Sequence, residues 1–190
     1  MENQNEKKWY EEDGVIYFSV TSDGKTGQEW LKHFEKKNYL NDYNMRSTQN
    51  LFFSKIKPTK GVTYELAVLR GKLFSDRGRT NYEIGAKANN RKLTTPSMEI
   101  ACLVRDKFTY GELEAMGLGW LVIMHKPIEV PDYGSCLASV YDSAYNASFL
   151  FSSSHGNVTF VRLFGKETSY AWDENHDFLF VVSEGLPKGG

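Results

Sequence analysis

The sequence predicts an α+β fold: a mixed helix/strand scaffold over residues 15–131, then a β-rich C-terminal third over 132–190 packed on the same domain. Three observations predict it. β-branched and aromatic runs alternate with amphipathic segments, and Thr-x-x-Glu signatures open three of those segments. Near Pro127–Pro131 the composition changes, and short apolar runs separated by Ser, Gly, Asn and Asp follow.

In chain order, residues 1–14 read as a polar N-terminal extension. Val15–Thr21 (VIYFSVT) is a strand by propensity, followed by a turn at Ser22-Asp23-Gly24-Lys25. Thr26-Gly27-Gln28-Glu29 then has capping-box spacing, in which hydroxyl and carboxylate satisfy free amides of the first helical turn. Trp30, Leu31 and Phe34 give that helix its apolar stripe, and it ends near Asn38. Val62–Leu73 is a second strand or strand pair. Thr80-Asn81-Tyr82-Glu83 repeats the cap and opens a polar helix to about Lys92.

Thr95-Pro96 starts a stronger helix, because proline at the first helical position lacks only an N–H that has no partner there. Ile100, Ala101, Val104 and Phe108 recur at helical spacing and face a core. Thr109-Tyr110-Gly111-Glu112 is the third cap, its helix closed by Gly117. Trp120–Met124 (WLVIM) is an uninterrupted apolar run, as expected of a central buried strand. Ala147–Phe151, Val158–Phe164 and Phe178–Ser183 read as short strands.

Composition excludes several classes. The chain has 190 residues with 23 Lys+Arg against 24 Asp+Glu, so it is neither globally basic nor an acidic disordered chain. Two cysteines, Cys102 and Cys136, exclude a disulfide scaffold and a four-cysteine zinc site. No apolar run suffices for a transmembrane helix, and the polar first 14 residues lack a signal-peptide core, so a cytoplasmic location is expected, with no membrane partner.

Gly24-Lys25-Thr26 sits between a strand and a helix, the setting of a phosphate-binding loop. That motif needs a glycine five positions before the second glycine, and Ser19 stands there, inside the strand. A tight turn and helix cap is the expected reading. Four histidines (His33, His125, His155, His176) match no metal-ligand spacing; His33 is expected in solvent, and His125, at a strand end, is the best placed for chemistry. No G-x-S-x-G elbow occurs, Cys102 lies among apolar helix positions, and Cys136 has no basic neighbour. The residues make no positive case for an enzyme, a catalytic residue, a metal or a cofactor.

Charge is unevenly distributed. Residues 1–131 carry 20 Lys+Arg and 17 Asp+Glu; residues 132–190 carry 3 and 7. Lys55 to Lys92 alone holds ten basic residues against three acids, a stretch that could bind nucleic acid through Arg77, Arg79, Arg91 and Lys92. Asp132–Asn157 has no Lys or Arg and seven serines among aromatics. Rigid Tyr with adaptable Ser and Asn is the composition of recognition surfaces.

The stretches Ser22–Trp30 (SDGKTGQEW), Lys57–Gly71 (KPTKGVTYELAVLRG), Arg91–Lys107, Glu114–Ile128 and Phe178–Ser183 resemble a group of uncharacterised bacterial proteins, which implies an inherited scaffold and no particular activity. The tail, with Tyr141-Asp142-Ser143-Ala144-Tyr145-Asn146, Phe149–Phe151, Gly156-Asn157-Val158 and its closing Phe-Leu-Phe-Val-Val strand, is similar to C-type-lectin-like ligand-binding tails of the retroelement-diversified type. It lacks the two-disulfide frame of lectin domains. The expectation is a non-enzymatic binding protein that presents Tyr133, Tyr141, Tyr145, Phe149, Phe151, His155, Asn157, Tyr170 and Trp172 to a protein or glycan. The alternatives are a nucleic-acid binder using the basic stretch, and an enzyme or nucleotide binder working through His125 or Lys25.

Overall fold

The structure, a computed structural model, describes residues 8–37, 39–40, 46–130, 134–141, 160–162 and 172–183. Strands β1 (Trp9–Glu12) and β2 (Val15–Asp23) form a hairpin turned at Asp13-Gly14, both at positive φ, as a two-residue turn of the right twist requires. Helices α1 (Gly27–Lys36) and α2 (Arg46–Lys55) lead to β3 (Lys60–Leu69) and a 3-10 turn at Gly71–Leu73. Then come α3 (Asn81–Asn90), β4 (Leu93–Thr94), α4 (Glu99–Lys107) and α5 (Tyr110–Ala115). Strands β5 (Trp120–Ile123), β6 (Ile128–Val130), β7 (Gly134–Tyr141), β8 (Phe160–Arg162) and β9 (His176–Val182) complete the described chain.

These strands form one mixed sheet in the order β1-β2-β3-β9-β5-β7-β6, with β4 pairing the end of β9 and β8 pairing β7. β5 and β9 run parallel; every other described pairing is antiparallel. The α+β expectation holds in that form, as helices around a mixed sheet.

Alternation along the strands divides the core in two. Ile16, Phe18, Val20, Leu66, Val68, Leu121, Ile123 and Leu179 face one side, where Trp30, Leu31 and Phe34 of α1, Phe52 and Phe53 of α2, and Ile100 and Val104 of α4 cover them. Val15, Ala67, Leu69, Val122, Phe178 and Phe180 face the other side, against Ile84 and Ala88 of α3. Burial on both faces explains why β5 reads as an unbroken apolar run.

The caps at Thr26 and Thr109 form as their spacing predicts: each Thr N–H donates to the Glu three residues on, at 2.8 and 2.7 Å. Other expectations shift. The Thr95-Pro96 helix begins only at Glu99, with Met98 at its N-cap, and Leu93–Thr94 pairs with Val182 and Val181. Val62–Leu73 is one strand plus a 3-10 turn. Part of the polar extension is β1, and α2, β6 and β7 were not anticipated. His33, expected in solvent, bonds Asp106 at 2.7 Å, and Lys37 bonds the same carboxylate at 2.6 Å. Burial opposes ionisation of Asp106, but the bonds from Lys37 and His33 outweigh it and hold the carboxyl below its usual range.

Candidate ligand-binding cleft

Three chain segments meet at the end of the sheet where β3 leaves and β9 and β5 enter. β3 hands over to Arg70, Gly71 and Lys72. Gly71 packs backbone against backbone: a Cβ there would lie 2.3 Å from the His176 carbonyl oxygen and 2.7 Å from that of Glu174. The entry to β9 is a turn in which Asn175 N–H donates to Asp173 Oδ1 at 2.8 Å and His176 N–H to the Asp173 carbonyl at 3.1 Å. The entry to β5 passes through Gly117, at φ +73°, where a Cβ would stand 3.2 Å from Arg70 Nη1.

Between these segments lies a cleft of about 470 Å³. Arg70 and Lys72 bring the cations, Glu174 and Asp177 the carboxylates, and Asn175 an amide. Asp177 is 6% exposed and accepts the Gly71 N–H at 3.1 Å. Burial raises its carboxyl pKa to about 6, against the opposing pull of the Gly71 amide and of Arg70 and Lys72. The Arg70 side chain is 12% exposed; Nη2 donates to the Met116 carbonyl at 2.5 Å and reaches Glu11 at 3.4 Å, while Nε is buried without a partner. Arg70 and Asp177 line the same cleft, and among the described residues Arg70 forms its salt bridge with Glu11 and not with Asp177. A second buried nitrogen, His176 Nδ1, also has no partner, and burial holds that imidazole below its usual pKa.

Beside the cleft the register lines up Tyr141 of β7 with Trp120 of β5, and Trp120 with His176 of β9. The Trp120 and His176 rings are 4.6 Å apart, and Trp172 follows at 5.3 Å from His176.

Of the residues expected at a recognition surface, Trp172 requires correction. It is 3% exposed, packs on Phe178, and its indole N–H donates to Asn81 Oδ1 at 2.8 Å, so it is a core residue that docks the entry of β9 on α3. Tyr141 has a described backbone position only. Tyr133, Tyr145, Phe149, Phe151, His155, Asn157 and Tyr170 lie outside the described residues. Part of the Ser/Tyr tract is strand β7, whose Leu137, Ala138, Ser139 and Val140 are buried.

The basic stretch is spread over several elements. Lys60 and Lys72 flank the two ends of β3, and Arg77 and Arg79 precede α3 whereas Arg91 and Lys92 follow it, about 15 Å away along a ten-residue helix. Arg79 is corrected as a candidate phosphate contact: it is buried, donating to the Trp172 and Phe74 carbonyls and to Asp76.

Lys25 and His125, the residues of the chemical alternatives, both have partners. Lys25 pairs with Asp23 and lies 4.5 Å from the Trp30 ring centre, and Thr26 is the cap of α1. His125 is buried with both nitrogens engaged: Nε2 accepts the Ala138 N–H at 2.8 Å, and Nδ1 donates to the Lys126 carbonyl at 2.7 Å. Burial lowers its pKa and keeps it neutral. Cys102 is fully buried, which pushes its thiol pKa well up. Glu99, also buried, is occupied by the Thr59 amide and hydroxyl. Among the described residues no cluster of three His, Cys, Asp or Glu is placed to hold a metal ion, and no helix is long and apolar enough to cross a membrane.

Sequence reading missed Arg70, Lys72, Glu174 and Asp177. The available signals were an Arg-Gly-Lys exit from an apolar strand and an Asp-Glu-Asn-His-Asp entry to another. No protein-family model, curated protein or solved structure matches the chain.

Proposed function

We propose that the protein is a recognition protein that takes its ligand at the end of the sheet, in the cleft between Arg70 and Asp177. One observation carries this reading: the half-buried Arg70 guanidinium and the buried Asp177 carboxyl line one cavity with no salt bridge between them. Burying Asp177 with only the Gly71 amide bonded to it is costly, and a bound polar molecule that engages both Asp177 and Arg70 offsets that cost. In the same reading the Tyr/Ser/Asn-rich composition after Pro131, with its lectin-like resemblance, suits a recognition role, and the register sets Tyr141 across from Trp120.

The test is ligand-observed NMR with the full chain and a library of small polar metabolites of positive, negative, neutral and mixed charge. At least one compound is expected to bind, and Arg70→Met and Asp177→Asn are each expected to weaken it about tenfold or more. A library without a binder, or binders indifferent to both substitutions, sinks the reading.

A further inference from the structure

We infer that the cleft recognises a small zwitterion, a molecule carrying a carboxylate and an ammonium group close together, as a free α-amino acid does. The inference rests on the cleft being the ligand site and adds the ligand's chemistry.

The lining is balanced but segregated by origin. Both cations come from the exit of β3 (Arg70, Lys72) and both carboxylates from the entry of β9 (Glu174, Asp177). A purely anionic ligand would meet two carboxylates, and a purely cationic one two cations. A neutral polyol would leave buried charge opposite neutral partners, a weaker match than charge-assisted bonds. A zwitterion satisfies both halves at once: its carboxylate accepts from Arg70 and Lys72, and its ammonium donates to Asp177 and Glu174. Arg70 is suited to this task because Met116 and Glu11 already fix its Nη2, which leaves the planar head oriented along the cleft wall. Asp177 is fixed in turn by the Gly71 amide, so only its remaining acceptor capacity is open to a ligand. Asn175, whose side chain bonds Asp173, closes the same wall.

The experiment is isothermal titration of the full chain with the twenty free amino acids, and with the methyl ester and N-acetyl derivative of any that binds. The ester lacks the carboxylate and the N-acetyl compound lacks the ammonium. At least one free amino acid is expected to bind, with both derivatives weakened about tenfold or more. Lys72 and Glu174 are exposed, so Lys72→Ala and Glu174→Gln should leave the fold intact, and each should weaken the free amino acid severalfold. A derivative that binds as well as its parent overturns the inference. So does the absence of any amino-acid binding while another metabolite binds in a manner dependent on Arg70 and Asp177; in that outcome the cleft remains the ligand site and only its chemistry is wrong. Absence of every binder overturns both.

Discussion

The backbone of Gly71 lies so close to that of His176 that a Cβ on Gly71 would stand 2.3 Å from the His176 carbonyl oxygen. The contact is backbone to backbone, with no flexible side chain able to yield, and the same glycine donates its amide to Asp177. Gly71→Ala therefore forces the β3 exit and the β9 entry apart. Its expected cost is about 1–3 kcal/mol, as for other overpacking changes, read as a shift in the denaturation midpoint. Wild-type stability in the alanine variant would mean that these segments are not in contact.

Asp177 carries a pH signature. Its folded pKa, raised by burial to about 6, lies above its unfolded value, so the folded state binds more protons between the two. The Asp177 contribution is fully present below about pH 4 and is lost as pH rises through about 6, a change of up to about 3 kcal/mol. His125 and His176, whose pKa values burial lowers, act the other way, losing stability as pH falls. Stability curves for wild type and Asp177→Asn should therefore diverge with rising pH, the variant gaining relative to wild type. Parallel curves would place Asp177 in water.

His125 should be observable as a single neutral tautomer. The Ala138 amide donates to Nε2, so the proton must sit on Nδ1, facing the Lys126 carbonyl. Nitrogen shifts of the imidazole should show this form with no titration near pH 6.5. His125→Phe removes the acceptor and leaves the Ala138 N–H buried and unpaired, at an expected cost of about 1–3 kcal/mol. A histidine that titrates normally would contradict the bonding.

Trp172 distinguishes core from surface. Trp172→Ala should cost about 3–5 kcal/mol, the range for removing a buried aromatic, and should reduce stability without any ligand present. Trp172→Phe keeps most of the packing on Phe178 and loses only the bond to Asn81, so it should cost about 1 kcal/mol. Equal, negligible effects in chemical denaturation would return Trp172 to the surface.

Local signals in the sequence were read correctly where they depend on neighbours in the chain. The caps at Thr26 and Thr109 need only residues three apart, and the apolar run Trp120–Ile123 reports burial on both faces whatever the partners are. The Asp13-Gly14 hairpin carried an equally local turn signal, but the polar residues of β1 hid its outer strand. Helix α2 was hidden for a different reason: its Arg-Ser-Thr-Gln-Asn start is polar, and its burial rests on Phe52 and Phe53 meeting α1.

The cleft was illegible because it joins residues 106 positions apart, Gly71 and Asp177, through strand order rather than spacing. The Tyr/Ser tract misled in part because composition does not separate an exposed loop from a strand such as β7, whose small residues fit a crowded interior. Trp172 misled likewise: an aromatic among polar residues near a turn reads as surface, and only α3, arriving from far upstream, makes its pocket.

The central position of β9 has a consequence for how the protein comes into being. Strands β3 and β5 are synthesised with more than 100 and about 50 residues, respectively, still to come before β9, yet β9 is the strand that stands between them. Until His176–Val182 emerges, neither inner edge has its final partner, and each offers unpaired amides to any other chain nearby. The nascent chain must hold two incomplete halves apart and join them only after His176–Val182 has emerged, which makes the interval before it the one in which misassembly and chaperone capture compete with folding.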